Sequence, residues 1–87
     1  MLHLLQSKLY LLQIEQLITR MQTGDSLVFM DEGIYNTLVF KQWQQWDCYA
    51  MQNHFKSCGV AIPTYFKVID MPALVTLTIH HQTIVSW

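Results

Sequence analysis

The stretch Gly24-Asp25-Ser26-Leu27-Val28-Phe29-Met30-Asp31-Glu32-Gly33 decides the fold of this 87-residue chain. Its apolar centre, residues 27–30, has no alternating polar positions, which predicts a short strand buried on both faces. Gly24 is suited to close a preceding helix, and the polar residues 31–33 predict a break after the strand. Such a strand is typical of a parallel sheet with helices on both sides.

The residues before this strand predict another strand and then a helix. Residues 1–5 form a short apolar strand segment, and Ser7 is a residue type that caps helix amino ends. Between residues 8 and 22 an apolar stripe recurs at helical spacing; its members are Tyr10, Ile14, Leu17, Ile18 and Met21. Polar side chains occupy the other faces, so an amphipathic helix is predicted.

The residues after the strand continue the alternation. Residues 34–40 predict a short helix or irregular helical turn, and residues 47–51 a strand followed by a helix over 52–58 that Gly59 stops. Residues 65–70 predict a strand, Pro72 suits the first turn of a helix reaching about His80, and residues 83–87 predict a last strand. One α/β domain over residues 1–87 is expected, a small flavodoxin-like or Rossmann-like layer with a mainly parallel sheet of about five strands and helices on both faces.

The amino-acid composition excludes several classes of function. The chain has 5 Lys+Arg against 6 Asp+Glu, 52% hydrophobic and 13% charged residues, which excludes a disordered tail and a basic nucleic-acid arm. A domain this short cannot bury so much apolar surface, so an oligomer is expected. No apolar run is long enough to span a membrane and no secretion signal is present, so the expected compartment is the cytoplasm. The two cysteines suit neither a disulfide framework nor a zinc site.

Function in open parallel sheets gathers at the carboxyl ends of the strands. Here those loops lie near Gln6, residues 31–33, residues 52–54 and Asp70. Asp31 and Glu32 could hold magnesium or act as an acid/base pair, although adjacent acids more often cap a helix or face solvent. The isolated glycines form no phosphate-binding loop, so no nucleotide or other cofactor is predicted.

Neither the histidines nor the cysteines form a metal-binding motif. The histidines, His3, His54, His80 and His81, lack the paired spacing that brings two rings to one metal, and His3 is expected to be a satisfied inner residue or an interface residue. Cys48 lies within a predicted strand, where a small buried hydrophobe is expected. Cys58 precedes Gly59 at a helix carboxyl end, where it is the one candidate catalytic residue, although that end of the helix dipole disfavours a thiolate.

Three tryptophans are candidate interface residues: Trp43, Trp46 and Trp87. Trp43 and Trp46 are three residues apart and share a face if helical, so they belong either to the core or to a partly exposed interface. Stacking on RNA bases is disfavoured because the basic residues are scattered along the chain. No direct contact with nucleic acid is therefore expected.

Three stretches resemble the TusB/DsrH family of small sulfur-relay subunits. They are Met1-Leu2-His3, the stretch from Gly24 to Tyr35, and the end from Val68-Ile69-Asp70 through Leu77-Thr78 and His81 to Trp87. The resemblance implies a DsrE-like fold and a heterohexamer with two copies each of three homologous subunits, the partners being TusC/TusD-like (DsrF/DsrE-like). It implies that persulfide sulfur from a cysteine desulfurase reaches the complex through a small sulfur-carrier protein and moves on toward 2-thiolation of the tRNA wobble uridine. In a second branch of the family a similar complex serves dissimilatory sulfur oxidation.

The departures from the family bear on its chemistry. Some sulfur-oxidising members carry a cysteine in the first helix, and residues 10–21 have none, which favours the tRNA branch. The resemblance places the main relay cysteine on a partner subunit, so neither Cys48 nor Cys58 inherits a catalytic role and the chain is expected to be architectural. An independent thiol or persulfide carrier using Cys58 is the alternative. The segment between Gly33 and Asp47 is shorter than is usual for the family.

Overall fold

The computed structural model describes all 87 residues. Strands and helices alternate along the chain in the order β1 (Leu2–Leu5), α1 (Leu11–Arg20), β2 (Ser26–Phe29), α2 (Asn36–Val39), β3 (Asp47–Met51), α3 (Gln52–Cys58), β4 (Lys67–Ile69), α4 (Met71–His80) and β5 (Ile84–Ser86). Two 3-10 helices, Asp31–Tyr35 and Trp43–Gln45, flank α2. None of the helices has the length and apolar character that crossing a membrane requires.

The five strands form one all-parallel sheet in the order β4-β3-β2-β1-β5. From β1 to β4 each new strand is added on the same side, and β5 then returns to the opposite edge beside β1. Because parallel crossovers are right-handed, α1 and α3 lie on one face and α4 lies on the other. The predicted α/β layer with helices on both faces is confirmed.

The first face holds most of the core. Ile14 and Leu17 of α1 and Phe55 of α3 pack in one cluster with Phe29 of β2 and with Trp43. Phe29 meets the Trp43 ring edge-on at 5.1 Å between centroids. All four residues of β2 are buried, as its unbroken apolar pattern predicts.

The second face is covered by α4 alone. Leu74 packs there against Leu2, Val28 and Met51. Asp70 caps this helix by accepting a hydrogen bond from the Ala73 N–H at 3.0 Å, and a proline occupies its first turn as predicted.

Helix α1 begins three residues later than the sequence pattern predicts, at Leu11 rather than residue 8. The cause is the buried Asn36, whose side chain accepts the Leu9 N–H at 2.8 Å and donates to the Ser7 carbonyl at 3.0 Å. These bonds hold the backbone of residues 7–9 outside the helix. Ser7 is therefore not the cap, and the Tyr10 N–H donates instead to the Gln13 side chain at 2.8 Å.

Three further expectations need correction. Tyr10 is 82% exposed and does not join the buried stripe of α1. The polar break at residues 31–33 is part of a 3-10 helix. Gly24 is left-handed as predicted, with a φ of 90°, but it belongs to the turn before β2 because α1 already ends at Arg20.

Trp43 cannot serve as an interface residue because it is fully buried. Its indole N–H donates to the Asn36 carbonyl at 3.2 Å, so both its apolar and its polar surface are satisfied inside the domain. Trp46 and Trp87 are half-buried and pack against the same core cluster.

Candidate functional site

The candidate site lies where β2 and β3 end, at the carboxyl edge of the sheet. After Phe29 the chain turns sharply, and Asp31 adopts a left-handed conformation with a φ of 51°. Aspartate tolerates this region better than most residues. The 3-10 helix that follows passes so close to β1 that a Cβ on Gly33 would lie 1.7 Å from the Leu5 carbonyl oxygen. Only glycine fits there, and this contact places Tyr35 beside α3.

Asp31 is joined to α3 through its backbone. The Asp31 N–H donates to Nδ1 of His54 at 3.0 Å. A ring nitrogen that accepts an amide carries no proton, so the proton of the neutral ring is on Nε2. The Asp31 carboxylate lies 3.5 Å from the same Nδ1, and with that nitrogen unprotonated the contact is not an ion pair.

Cys58 lies one turn further along α3 and contacts the same loop. Its thiol donates to the Asp31 carbonyl at 3.9 Å, a long contact with sulfur as the donor. Tyr35 comes to the same place from the loop, and the neighbouring Cys58 raises the pKa of the Tyr35 hydroxyl above its ordinary value. Tyr35 therefore keeps its proton at neutral pH and remains a hydrogen-bond donor.

These groups surround one open cavity of about 360 Å³. Its lining consists of Asp31, Glu32, Tyr35, His54, Ser57 and Cys58. The arrangement brings together a half-buried thiol, an imidazole, a phenol and two carboxylates, with no lysine or arginine among them. It suits the chemistry of a neutral thiol substrate better than the binding of a phosphate or another anion.

The other predicted carboxyl-edge residues do not enter this cavity. Asp70 caps α4, and Gln6 donates to the Met30 sulfur at 3.9 Å. The His54–Cys58 pair escaped the sequence analysis, although its i, i+4 spacing within a predicted helix was a usable signal. Tyr35 could not be found in this way, because it comes from another segment.

Cys48 is separated from this chemistry. It is 2% exposed, and its thiol donates to the Trp43 carbonyl at 3.1 Å. Burial, with a further contribution from the neighbouring Asp47 charge, raises the pKa of Cys48 to about 12. The expectation that Cys48 is a small buried hydrophobe is confirmed.

A second cavity, of about 450 Å³, lies at the amino edge of the sheet between residues 21–25 and residues 45–47. Its carboxylates already have partners inside the chain. Asp25 accepts from the amino-terminal ammonium of Met1 at 3.0 Å and approaches His3 at 3.3 Å, and Asp47 binds Lys67 at 2.8 Å.

His3 joins the amino edge to the end of the chain. The ring is fully buried, and its Nδ1 accepts the Trp87 indole N–H at 3.1 Å. The indole can only donate, so Nε2 of His3 carries the proton and donates to Asp25. His3 is thus a satisfied inner residue, one of the two roles expected for it. Nowhere in the chain do three His, Cys, Asp or Glu side chains converge as a metal site.

The fold and the cavity define a small α/β protein of the flavodoxin-like type with a cysteine at the carboxyl edge of its sheet. A family model described as DsrH like protein matches residues 6–84. The chain belongs to this family, the TusB/DsrH family of sulfur-relay subunits, which work in multi-subunit relays with DsrE- and DsrF-like partners. A search of curated proteins found no match to the chain.

Proposed function

We propose that this chain is a structural subunit of a cytoplasmic sulfur-relay heterohexamer that passes persulfide sulfur toward 2-thiolation of the tRNA wobble uridine. The family match over residues 6–84 carries the proposal, because the family consists of subunits of sulfur relays. A small sulfur-carrier protein would deliver sulfur to the complex, and DsrE- and DsrF-like subunits would be its direct partners.

The exposed side of α4 supports a role in assembly. Met71, Val75 and Ile79 are 57%, 54% and 77% exposed and form an i, i+4, i+8 stripe. A helix that is apolar on its outer side as well as its inner side is typical of a buried position. This helix has no Asp, Glu, Lys or Arg, so an apolar partner surface suits it.

The first helix supports the tRNA branch. By the family resemblance, some sulfur-oxidising members carry a cysteine there, and α1 has none. The chain itself is poorly suited to bind RNA, because Lys67 pairs with Asp47 and Arg20 lies over the Trp87 ring at 5.4 Å. In the proposed complex, contact with tRNA or with the thiolating enzyme belongs to other components.

Co-expression with the DsrE- and DsrF-like subunits of the same genome tests the assembly. We expect one complex whose native mass, measured by light scattering, corresponds to two copies of each subunit. Ile79→Lys should release this chain from the complex, because it places a charge at the most exposed member of the apolar stripe. The control is Gln16→Lys, which adds the same charge at an exposed position of α1. This variant should leave assembly intact. A wild-type chain that purifies alone as a monomer contradicts the proposal.

Deletion of the gene tests the pathway. We expect loss of 2-thiouridine derivatives from hydrolysed tRNA, measured by mass spectrometry, and recovery on complementation. Unchanged tRNA thiolation with a loss of sulfur oxidation would instead assign the chain to the second branch of the family.

A further inference from the structure

We infer that the carboxyl-edge cavity of this chain is a sulfur-acceptor site, in which Cys58 takes the outer sulfur of a cysteine persulfide while Tyr35 and His54 position the reacting sulfur. The inference rests on the proposed relay function and assigns a substrate class to this subunit. It makes the chain a participant in the relay as well as a structural subunit.

Three reactive side chains converge on the carboxyl-edge cavity. His54 and Cys58 are four residues apart on α3, so they lie on one face of the helix, with Cβ atoms about 5–6 Å apart. Tyr35 reaches the same cavity from a different segment, between β2 and α2. A nucleophile and two hydrogen-bond donors, contributed by two separate elements, thus open onto one cavity.

Each of the two positioning groups carries a proton that it can donate. His54 accepts the Asp31 amide at Nδ1, so the nitrogen left for other partners is Nε2, which carries a proton in the neutral ring. The Tyr35 hydroxyl lines the same cavity as Cys58 and also keeps its proton at neutral pH. Both groups are donors, and donors stabilise a sulfur anion. They offset the unfavourable position of Cys58 at the negative end of the α3 dipole.

The step that this geometry supports is a sulfur exchange without net oxidation. Cys58 loses its proton and attacks the terminal sulfur of the donor persulfide. The sulfur–sulfur bond of the donor breaks as the new bond to Cys58 forms, and the electron pair leaves on the donor cysteine. That cysteine takes up a proton and becomes a thiol, and Cys58 becomes a persulfide.

The charges around the cavity select among sulfur donors. Asp31 and Glu32 line it, and both are exposed acids. They repel a small dianion such as thiosulfate, whereas a persulfide on a cysteine residue brings far less negative charge. We therefore expect cysteine persulfide to be the substrate and thiosulfate to be a poor one.

The experiment uses the complex with its partner subunits and a cysteine desulfurase with L-cysteine as the sulfur source. After alkylation, peptide mass mapping should find the added sulfur on Cys58 in the wild type and in Cys48→Ser, and at least about tenfold less on this chain in Cys58→Ser. Equal sulfur loading of this chain in Cys58→Ser overturns the inference. Thiosulfate, added without any sulfurtransferase enzyme, replaces the persulfide donor in a control. It should load Cys58 poorly.

Tyr35→Phe and His54→Asn test the positioning roles. Each should slow loading by about tenfold, the effect of one hydrogen bond of about 1.4 kcal/mol. Tyr35→Phe should lower the maximal loading rate and leave the donor concentration for half-maximal rate unchanged, a split that a loss of packing alone would not produce. Unchanged loading rates in both variants contradict the roles given to them.

The outcomes of these experiments distinguish a failure of this inference from a failure of the proposed function. If the complex forms and a partner carries sulfur while wild-type Cys58 stays unmodified, the inference is wrong and the relay proposal stands. If no complex forms, the relay proposal fails, and the isolated chain incubated with glutathione persulfide still decides whether Cys58 accepts sulfur.

Discussion

The two edges of the sheet each contain an aspartate beside a histidine, and the two pairs differ in almost every physical respect. At the amino edge, the side chains of His3 and Asp25 are 0% and 6% exposed, and both have partners within the chain. At the carboxyl edge, those of His54 and Asp31 are 30% and 60% exposed and border an open cavity with a thiol. The same residue types therefore make a structural network at one edge and a candidate reaction site at the other.

The hydrogen-bond partners of such a pair, more than its residue types, decide its role. The amino-edge pair connects strand β1, the turn before β2 and the end of the chain through Trp87. Breaking the contact between His3 and Asp25 would leave buried polar groups without partners. The resulting loss of stability is larger than the contribution of a typical hydrogen bond. The carboxyl-edge pair is held by the bond from the Asp31 N–H to the His54 ring, so only the Asp31 side chain is free to change.

The largest effect is expected from Gly33→Ala at the carboxyl edge. The new Cβ would overlap the Leu5 carbonyl, and that carbonyl cannot retreat easily because it accepts the Met30 N–H at 3.1 Å. We expect a loss of about 3 kcal/mol in the free energy of unfolding, measured with urea. Gly24→Ala at the amino edge is the control, since its Cβ meets nothing and only its φ of 90° is unfavourable. It should cost about 1 kcal/mol. Equal losses would refute the overlap as the cause.

The second-largest effect is the difference in stability between variants of the two aspartates, Asp25 and Asp31. Asp25→Asn removes the charge that the amino-terminal ammonium faces and weakens the buried bond to His3. We expect a loss of about 2 kcal/mol in the free energy of unfolding. Asp31→Asn should change it by less than about 0.5 kcal/mol, because the side chain is exposed and asparagine also tolerates a left-handed backbone. Similar losses in both variants would remove the distinction between the edges.

A third, smaller effect concerns the bond between Trp87 and His3. Trp87→Phe keeps an aromatic ring but removes the indole N–H, and Nδ1 of the buried His3 then has no donor. We expect a loss of about 1 kcal/mol in thermal or urea unfolding. Trp46→Phe is the matched control, because Trp46 is also half-buried and its ring packs 6.1 Å from that of Trp43. A larger loss for Trp46→Phe would show that ring packing dominates.

The smallest effect is a pH dependence at the amino edge. Burial alone would raise the pKa of Asp25, but hydrogen bonds from the Met1 ammonium, the Gln22 N–H and His3 outweigh it and leave that pKa below its ordinary value. A lowered folded-state pKa means that the unfolded chain binds the proton first, so this stabilisation is present above the ordinary aspartate pKa and is lost as the pH falls through the lower one.

The measurement is the unfolding free energy of the wild type and of Asp25→Asn between about pH 6 and about pH 3. The difference between the two proteins should shrink as the pH falls. A difference that stays constant across this range would show that the charge of Asp25 contributes nothing.

Much of the fold could be predicted because it depends on local patterns. The strand bounds Asp47–Met51 and the helix bounds Gln52–Cys58 agree with the prediction, since an apolar run precedes the helix and Gly59, with a φ of 70°, ends it. The start of α4 could also be predicted, because Pro72 is typical of the first turn of a helix. At the candidate site, Cys58 could be singled out from sequence and His54 could be placed beside it by helical spacing, but Tyr35 comes from another segment and could not be placed there.

The sequence by itself determined the alternation of strands and helices, the burial of β2 and the family of the chain, because periodicity, glycine and proline act over a few residues. Tertiary structure alone decided where α1 begins, that Trp43 is core, and that Tyr35, His54 and Cys58 share a cavity. Each of these depends on contacts between segments distant in sequence, such as the bonds of Asn36 to residues 7 and 9. Such contacts exist only after the sheet order has brought the strand ends together.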